Sequence, residues 1–525
     1  MSDIVKVKNA LISVSDKNGL AEFSQELSLL GIQIYSTGGT RSHLENQGLQ
    51  VHDVSEYTGF PEVMDGRVKT LHPKIFAGIL YRHDRDDDIQ TLKKHGIHGF
   101  ELVIVNLYPF EKTIARDHVT QEEAIEQIDI GGPSLVRASA KNHAFTSIIT
   151  CPDQYPSMLE ELQQKGGTSL ETRTKLARDA FTITADYDRA ISNYFCKTEK
   201  PQEPDFPDDL PLSFKRKAPL RYGENPHQRA ALYEDEKDSR SSLVHARQVN
   251  GKELSYNNFL DLDGALNLVR CFNEPCVSVI KHNNPCGAAV SDTLSDAAEK
   301  ALAGDPLSAF GSILALNQVV DAATAEILVR PGQFIEAIVA PGFSTGAHKL
   351  LTTKPKWKNN VRLLEIDHLE QADVQHQYRQ ISGGMLVQDS DVLEVTPEEW
   401  EVVTDSKPKP HVEAELLFSW KIVRHVKSNA IVICRDHALI GAGAGQMSRV
   451  DSVEIAIKKA AERAQGAVLA SDAFFPFPDS IDAASQAGIC AIIQPGGSRR
   501  DNEVIEACNK QGISMIFTGH RHFRH

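Results

Sequence analysis

Lys281 and His282 follow an apolar run, Val277-Ser-Val-Ile280, and open the turn Asn283-Asn-Pro-Cys-Gly287. An ammonium and an imidazole therefore stand at a strand end, where the clefts of α/β proteins lie. An imidazole with an ordinary pKa of ~6.5 exchanges protons at neutral pH, so the pair offers a base beside a fixed positive charge. For an isolated histidine a hydrogen-bonded structural role is the better reading. The adjoining Lys, Asn and Gly favour catalysis here. Leu220-Arg-Tyr-Gly-Glu-Asn-Pro-His-Gln228 is a second motif in the same part of the chain. Ser471-Asp-Ala-Phe-Phe-Pro-Phe-Pro-Asp479 combines three aromatic residues with two carboxylates. Phenyl faces stack on a flat heterocycle while a carboxylate accepts hydrogen bonds from its ring nitrogens. A buried turn with capping acids is the plainer alternative.

The first two hundred residues carry a different chemistry, that of anion-binding loops. Ser13-Val-Ser-Asp-Lys17 and Ser36-Thr-Gly-Gly-Thr40 each follow a strand pattern. Glycines let backbone approach an anion closely, and a following helix offers free amides. Either loop alone is equally well read as a plain strand–helix turn. Gly66-Arg-Val-Lys-Thr-Leu-His-Pro73 is more informative, because Arg67 and Lys69 project to one side of an extended segment and can meet one phosphate. Gln127-Ile-Asp-Ile-Gly-Gly-Pro133, followed by Arg137 and Lys141, adds an acid, paired glycines and more cations.

Two tempting patterns fail. Pro285-Cys286 starts like a zinc deaminase signature, but the second Cys position is Ala289 and no His-x-Glu accompanies it, so zinc is disfavoured. Gly441-Ala-Gly-Ala-Gly-Gln446 follows a strand like a dinucleotide fingerprint, but Gln446 fills the last glycine position. The terminal Arg521-His-Phe-Arg-His525 reads as a frayed basic tail.

These residues need elements to hold them. A chain of 525 residues, 41% apolar and 24% charged, is that of a soluble protein with two to four domains. No apolar run is long enough to span a bilayer, and the N-terminus lacks a secretory apolar core, which predicts a cytoplasmic protein. The eight scattered cysteines suit a reducing compartment. A net charge of −15 disfavours nonspecific nucleic-acid binding but leaves local phosphate sites open. Strand patterns at 9–14, 32–35, 102–105 and 147–150, with a helix whose face carries Leu20, Phe23, Leu27 and Leu30, predict a parallel α/β sheet. The proline-rich, acidic stretch 197–211 predicts a linker. Beyond it, strand patterns at 277–280, 431–434, 467–470 and 490–493 predict a second α/β region. Lys281-x-Asn283 and Lys427-x-Asn429 echo one another, a hint of two related halves.

Together these strings resemble a family of bifunctional purine-biosynthesis enzymes that join a phosphoribosylaminoimidazolecarboxamide (AICAR) formyltransferase to an IMP cyclohydrolase. The likeness covers nearly the whole chain, in order. It includes Asn106-Leu-Tyr-Pro-Phe110 in the first part and Gly304-Asp-Pro-Leu-Ser-Ala-Phe-Gly311 in the second. It implies a methylglyoxal-synthase-like parallel-sheet domain over 1–198, a linker over 199–211, and a transformylase region over 212–525 built from two cytidine-deaminase-like α/β units. It further implies 10-formyltetrahydrofolate as co-substrate, no metal, and a homodimer with transformylase sites at the subunit interface. Whether a monovalent cation binds is left open.

The resemblance also assigns residues. For formyl transfer it makes His282 the proton acceptor and Lys281 its electrostatic partner. Arg221, Tyr222, Asn258, Gly311, Glu336, Asn429 and Arg521 would hold the nucleotide, and Phe474, Pro476 and Asp479 the folate. For ring closure it implies Lys69, Tyr108, Asp129 and Lys141 as the catalytic set. Ser13, Ser15, Lys17, Thr37, Gly39, Arg67, Thr70, Asn106 and Gly131 would bind the substrate. Cys286 stands where some relatives carry Ala, and the tail differs from the Arg-Leu-Phe-His-His of relatives, leaving Arg524 without a role. The rival reading is a single-activity formyltransferase with an N-terminal nucleotide-sensing domain. A nicotinamide-dependent dehydrogenase rests on the imperfect glycine string alone.

Overall fold

The structure, a computed structural model, describes the chain apart from residues 1–2, 65, 117, 200–205, 207–209, 211, 236–241, 368, 370–375 and 394–395. The chain packs as two units, Met1–Asp208 and Asp209–His525. Most of the expected linker lies outside the described residues, and its first residues, 197–199, end the long helix Leu170–Glu199.

In the first unit five parallel strands lie in the order His52–Asp53, Gln33–Ser36, Asn9–Val14, Leu102–Asn106, Ser147–Ile149. Asn9–Val14 and Leu102–Asn106 are mostly buried, as their largely apolar sequences predict for a sheet covered on both faces. The helix Leu20–Leu29 buries Leu20, Phe23 and Leu27 against it. Leu30 is not part of that face: it caps the helix and is 42% exposed. Parallel order puts the carboxyl ends of Asn9–Val14, Gln33–Ser36 and Leu102–Asn106 at one edge of the sheet.

The second unit is built around one mixed sheet of twelve strands made from two copies of a single plan, with two separate hairpins, Lys215–Leu220 with Ala230–Glu234 and His376–Ile381 with Gly384–Asp389. Each copy begins with a hairpin, Cys276–Lys281 with Asn284–Val290, and Ile431–Arg435 with Ala438–Gly443. Both turns have two residues in the left-handed region: His282 and Asn283 (φ 50° and 61°), Asp436 and His437 (φ 56° and 53°). That is the turn whose twist matches a hairpin. Both first strands slip register at the same place, between Val279 and Ile280 and between Ile433 and Cys434. Each first strand then pairs antiparallel with a later one, Ser312–Leu316 or Val468–Ser471. Two parallel strands follow in each copy, Ile335–Ala340 and Arg362–Glu365, or Ala491–Gln494 and Ser514–Phe517. The copies meet antiparallel where Ala289 faces Ala438.

The repeat corrects two expectations. Lys427-x-Asn429 is not the counterpart of Lys281-x-Asn283; Arg435 occupies the position of Lys281. The glycine string is part of the second hairpin. A Cβ on Gly441 would sit 2.2 Å from the Ala456 carbonyl, and one on its counterpart Gly287 would sit 1.9 Å from that of Ala301. These glycines let the helices Leu294–Ala303 and Arg449–Ala460 press directly on the strands.

Two candidate active sites

The first site is built where the parallel strands of the first unit end. Asn106 Oδ1 accepts the amides of Ser15 (2.6 Å) and Asp16 (2.9 Å), which ties two strand ends together. Thr40 Oγ1 clips the next loop by bonding both the amide (3.1 Å) and the carbonyl (3.0 Å) of Val14. Lys69 reaches across from its own loop. Its Nζ pairs with Glu62 (3.3 Å), and a Cβ on Gly38 would stand 3.4 Å from it. Gly66, at φ 88°, makes that path open, since a Cβ there would lie 2.5 Å from Lys69 Cε.

Asp129 completes this group. Its Oδ1 accepts the Gly132 amide (2.8 Å), and its own amide donates to Tyr187 Oη (2.8 Å). Burial pushes the Asp129 carboxyl up, while the amides of Gly132, Tyr108 and Gly131 and the Lys69 ammonium pull it down. Thr70 Oγ1 lies against Gly131, where a Cβ would stand 3.4 Å away. Lys69, Thr70, Tyr108, Asp129 and Gly131 therefore converge. The Arg67 guanidinium bonds Glu126 (Nε–Oε1 3.3 Å), while Lys69 pairs with Glu62. Lys141 ends the helix Gly131–Lys141, about 15 Å of helix from the Asp129 end.

The second site lies along one edge of the twelve-stranded sheet. Lys281 Nζ donates to the Phe310 carbonyl beside Gly311, whose φ of 73° needs glycine. The Asn283 amide donates to Asp261 Oδ1 (2.6 Å) on the helix Tyr256–Val269. From the same helix Asn258 Nδ2 donates to Glu336 Oε2 (3.3 Å), which also faces Arg362 (3.9 Å). Burial lowers the Arg362 pKa, and Arg221 and Tyr222 act on it electrostatically, so all three gather at this edge. Arg221 itself stacks on the Tyr222 ring at 5.1 Å.

Residues of the second half adjoin them. Asn429 Nδ2 donates to the Gln446 carbonyl (2.9 Å) and its Oδ1 accepts from Arg449 Nη2 (2.8 Å). Arg449 Nη1 in turn donates to Asp472 (2.5 Å), a pair whose side chains are 6% and 0% exposed. Phe474 and Phe477 are 38% and 49% exposed with Phe475 buried between them, while Pro476 is half-buried and Asp479 opens the next helix. The terminal residues are not a frayed tail. His522 is buried, its Nδ1 2.6 Å from Asp391, and the Arg524 carbonyl accepts the Ser428 amide (2.9 Å). Arg521 is exposed and stacks on Phe523 at 4.4 Å.

The family described as an MGS-like domain matches residues 19–134, and the AICARFT/IMPCHase bienzyme family matches residues 139–459. A bifunctional purine biosynthesis protein PurH from Rhodopirellula baltica is 62% identical over 525 residues, covering 100% of both chains. The chain belongs to this bienzyme family. The Persephonella marina and Streptococcus suis proteins of the same name are 51% and 48% identical, over 99% of this chain and 100% of their own. A solved structure titled "Crystal structure of ForH" aligns at 31% identity with 36% of this chain and 96% of its own, with a TM-score of 0.34.

Membership makes the chain a bifunctional enzyme of purine biosynthesis with an MGS-like first domain, and sets aside the single-activity reading. Among its described residues no helix is long and apolar enough to cross a membrane. Several side chains that shape the two sites of the bienzyme were not evident from its sequence. Glu62, Glu126 and Tyr187 belong to the first and Asp261, Arg362 and Arg449 to the second. None lies in a glycine-rich or basic string, and each is brought in by tertiary packing.

Proposed function

We propose that this enzyme transfers a formyl group from 10-formyltetrahydrofolate to AICAR at the second site and closes the product to IMP at the first. The Lys281–His282 turn carries the reading, with a base and a cation held at one strand end. The amine of AICAR is a poor nucleophile because its lone pair is delocalised, so transfer needs a base and close positioning. His282 takes the proton that this amine loses as it attacks the formyl carbon. Lys281 stabilises negative charge on the formyl oxygen of the tetrahedral intermediate, or protonates the folate nitrogen that departs as its bond to the formyl carbon breaks and tetrahydrofolate is released. Arg221, Tyr222, Asn258, Gly311, Glu336, Asn429 and Arg521 hold the nucleotide.

The folate, when bound, supplies the activated formyl group. The exposed faces of Phe474 and Phe477 and the carboxylate of Asp479 fit a flat, nitrogen-bearing pterin, with Pro476 between them. At the first site Lys69 polarises the formyl oxygen while Tyr108 and Asp129 move protons, as the carboxamide nitrogen joins the formyl carbon and water leaves. Ser13, Ser15, Lys17, Thr37, Gly39, Arg67, Thr70, Asn106 and Gly131 bind the ribose and phosphate. Lys141, at the end of the helix that Gly131 begins, is the second cation proposed for this set. The working form is a cytoplasmic homodimer. Exposed apolar side chains at the second site support that, among them Phe310 (56%) beside Lys281 and Met447 (101%) beside Asn429.

The test is to supply purified enzyme with AICAR and 10-formyltetrahydrofolate and follow IMP. Steady appearance of IMP, abolished by omitting the folate, is expected. No consumption of AICAR would overturn the reading.

A further inference from the structure

The turn that carries His282 is held by a carboxylate with no role so far. His282 and Asn283 both stand in the left-handed region, which non-glycine residues occupy only when their surroundings hold them there. Asp261, one and a half turns into the helix Tyr256–Val269, accepts the Asn283 amide at 2.6 Å. The same helix makes room for the Asn283 side chain at Gly264, where a Cβ would come within 2.8 Å of Asn283 Oδ1. Burial raises the Asp261 carboxyl, while the Asn283 amide and the His282 side chain draw it down. Asp261 thus bonds the backbone of the turn, close enough to His282 to act on it electrostatically.

The internal repeat supplies a comparison inside the same molecule. In the second half the helix Pro410–Val423 carries Glu415, whose Oε2 and Oε1 accept the His437 amide at 2.9 and 3.1 Å. A helix carboxylate on the second turn amide is therefore part of the repeated plan. The surroundings differ. Phe418 stands against the His437 ring at 5.9 Å where Gly264 leaves space beside Asn283, and Asp436 stands where the first turn has His282. The second turn is a structural copy, and only the first presents an imidazole at the site edge.

The geometry points to Asp261 as a positioning residue for formyl transfer, which fixes His282 by accepting the amide hydrogen of its turn. This rests on His282 being the base. The carboxylate touches no substrate; it narrows the set of directions the imidazole can take. Misplacing a catalytic group by about 1 Å costs on the order of 10²-fold in rate.

Three variants of the full-length enzyme test this, with kcat and KM for formyl transfer, cyclisation of pre-formylated substrate and thermal stability measured on each. Asp261→Ala is expected to lower kcat by about 10- to 100-fold with little change in KM and normal cyclisation. Asp261→Asn keeps an oxygen acceptor for the Asn283 amide and is expected to recover most of kcat. Glu415→Ala removes the equivalent bond from the other turn and is expected to leave formyl transfer near wild type, whatever it does to stability. An Asp261→Ala enzyme with kcat within about threefold of wild type would overturn the inference, as would an equal loss from Glu415→Ala. If His282→Ala is active while Asp261→Ala is not, the base is misassigned and this role for Asp261 falls with it. If both Asp261 variants keep full activity while His282→Ala is dead, the base stands and only the positioning role is lost.

Discussion

The backbone amide of Lys427 donates to the side-chain oxygen of Asn284 at 2.9 Å, joining the turn after His282 to the segment before Asn429. One bond thus links the two halves of the repeat at the edge where the proposed nucleotide residues collect. The Ser428 amide then reaches the Arg524 carbonyl, so the chain terminus is fastened to the same segment.

His282→Ala should lower formyl transfer by about 10²–10⁴-fold, the usual contribution of a general base. Cyclisation of pre-formylated substrate should stay near wild type, because that site is built in the other unit. Rate measurements on both half-reactions check this. Transfer above a tenth of wild type would make His282 a structural residue.

Lys69→Ala should do the reverse. Its ammonium lies beside Gly38 and acts on Asp129, within the proposed cyclohydrolase group. Formamido nucleotide should accumulate while formyl transfer continues, which chromatography of the reaction mixture would reveal. Simultaneous loss of both activities would point to misfolding.

Asp129 offers a test with a definite sign. Burial raises its carboxyl above the ordinary ~3.9 of an aspartate. The folded state then holds the proton more tightly than the unfolded chain. The resulting stability penalty is absent below the unfolded value, grows as pH rises through the folded value, and is complete above it. Asp129→Asn should therefore raise the melting temperature at pH 7 and gain little near pH 3, while cyclisation is lost. A variant that melts lower at pH 7 would contradict this.

The fold was legible in the sequence where burial was uniform. Asn9–Val14 and Leu102–Asn106 are covered on both faces, so they appear as the short apolar runs Ala10–Ile12 and Leu102–Val105. Two related units were expected in the second part, but which residues correspond was not legible, because its two turns, Lys-His-Asn-Asn and Arg-Asp-His-Ala, share geometry rather than residues. What matches is φ above zero at two positions, a bulge, and a glycine under a helix. The anion-binding strings located most of the proposed first-site residues. Asp261 and Glu415 read as ordinary helix acids until the turn amides facing them were known.

Arg449→Met should be severely destabilising. It strips the buried Asp472 carboxylate of its guanidinium and leaves Ser428, at 2.5 Å, as its remaining side-chain partner among the described residues. Breaking a buried ion pair on one side costs about 3–5 kcal/mol. Adding Asp472→Asn to the Arg449→Met enzyme should recover much of that, which denaturant titration of wild type, single and double variants would measure. A single variant within about 1 kcal/mol of wild type would mean the pair is far better solvated than its burial implies.

The two activities should separate along the chain and differ in their need for association. Residues 1–199 contain the whole five-stranded sheet, the long helix that covers it and every proposed cyclohydrolase residue. This fragment should fold and cyclise pre-formylated substrate on its own. Residues 212–525 contain the twelve-stranded sheet and should retain formyl transfer only as a dimer. Dilution, followed by activity and sedimentation together, should show transfer falling as the dimer dissociates. Mixing inactive His282→Ala and Asn429→Ala versions asks whether one site draws on two chains. If it does, hybrid dimers hold one intact site each, and about a quarter of wild-type activity should return after exchange. No recovery, with exchange verified by sedimentation of tagged chains, would place both residues of each site on one subunit. A second fragment fully active as a monomer would remove the requirement for a dimer, and an insoluble first fragment would show that its sheet does not fold without the rest of the chain.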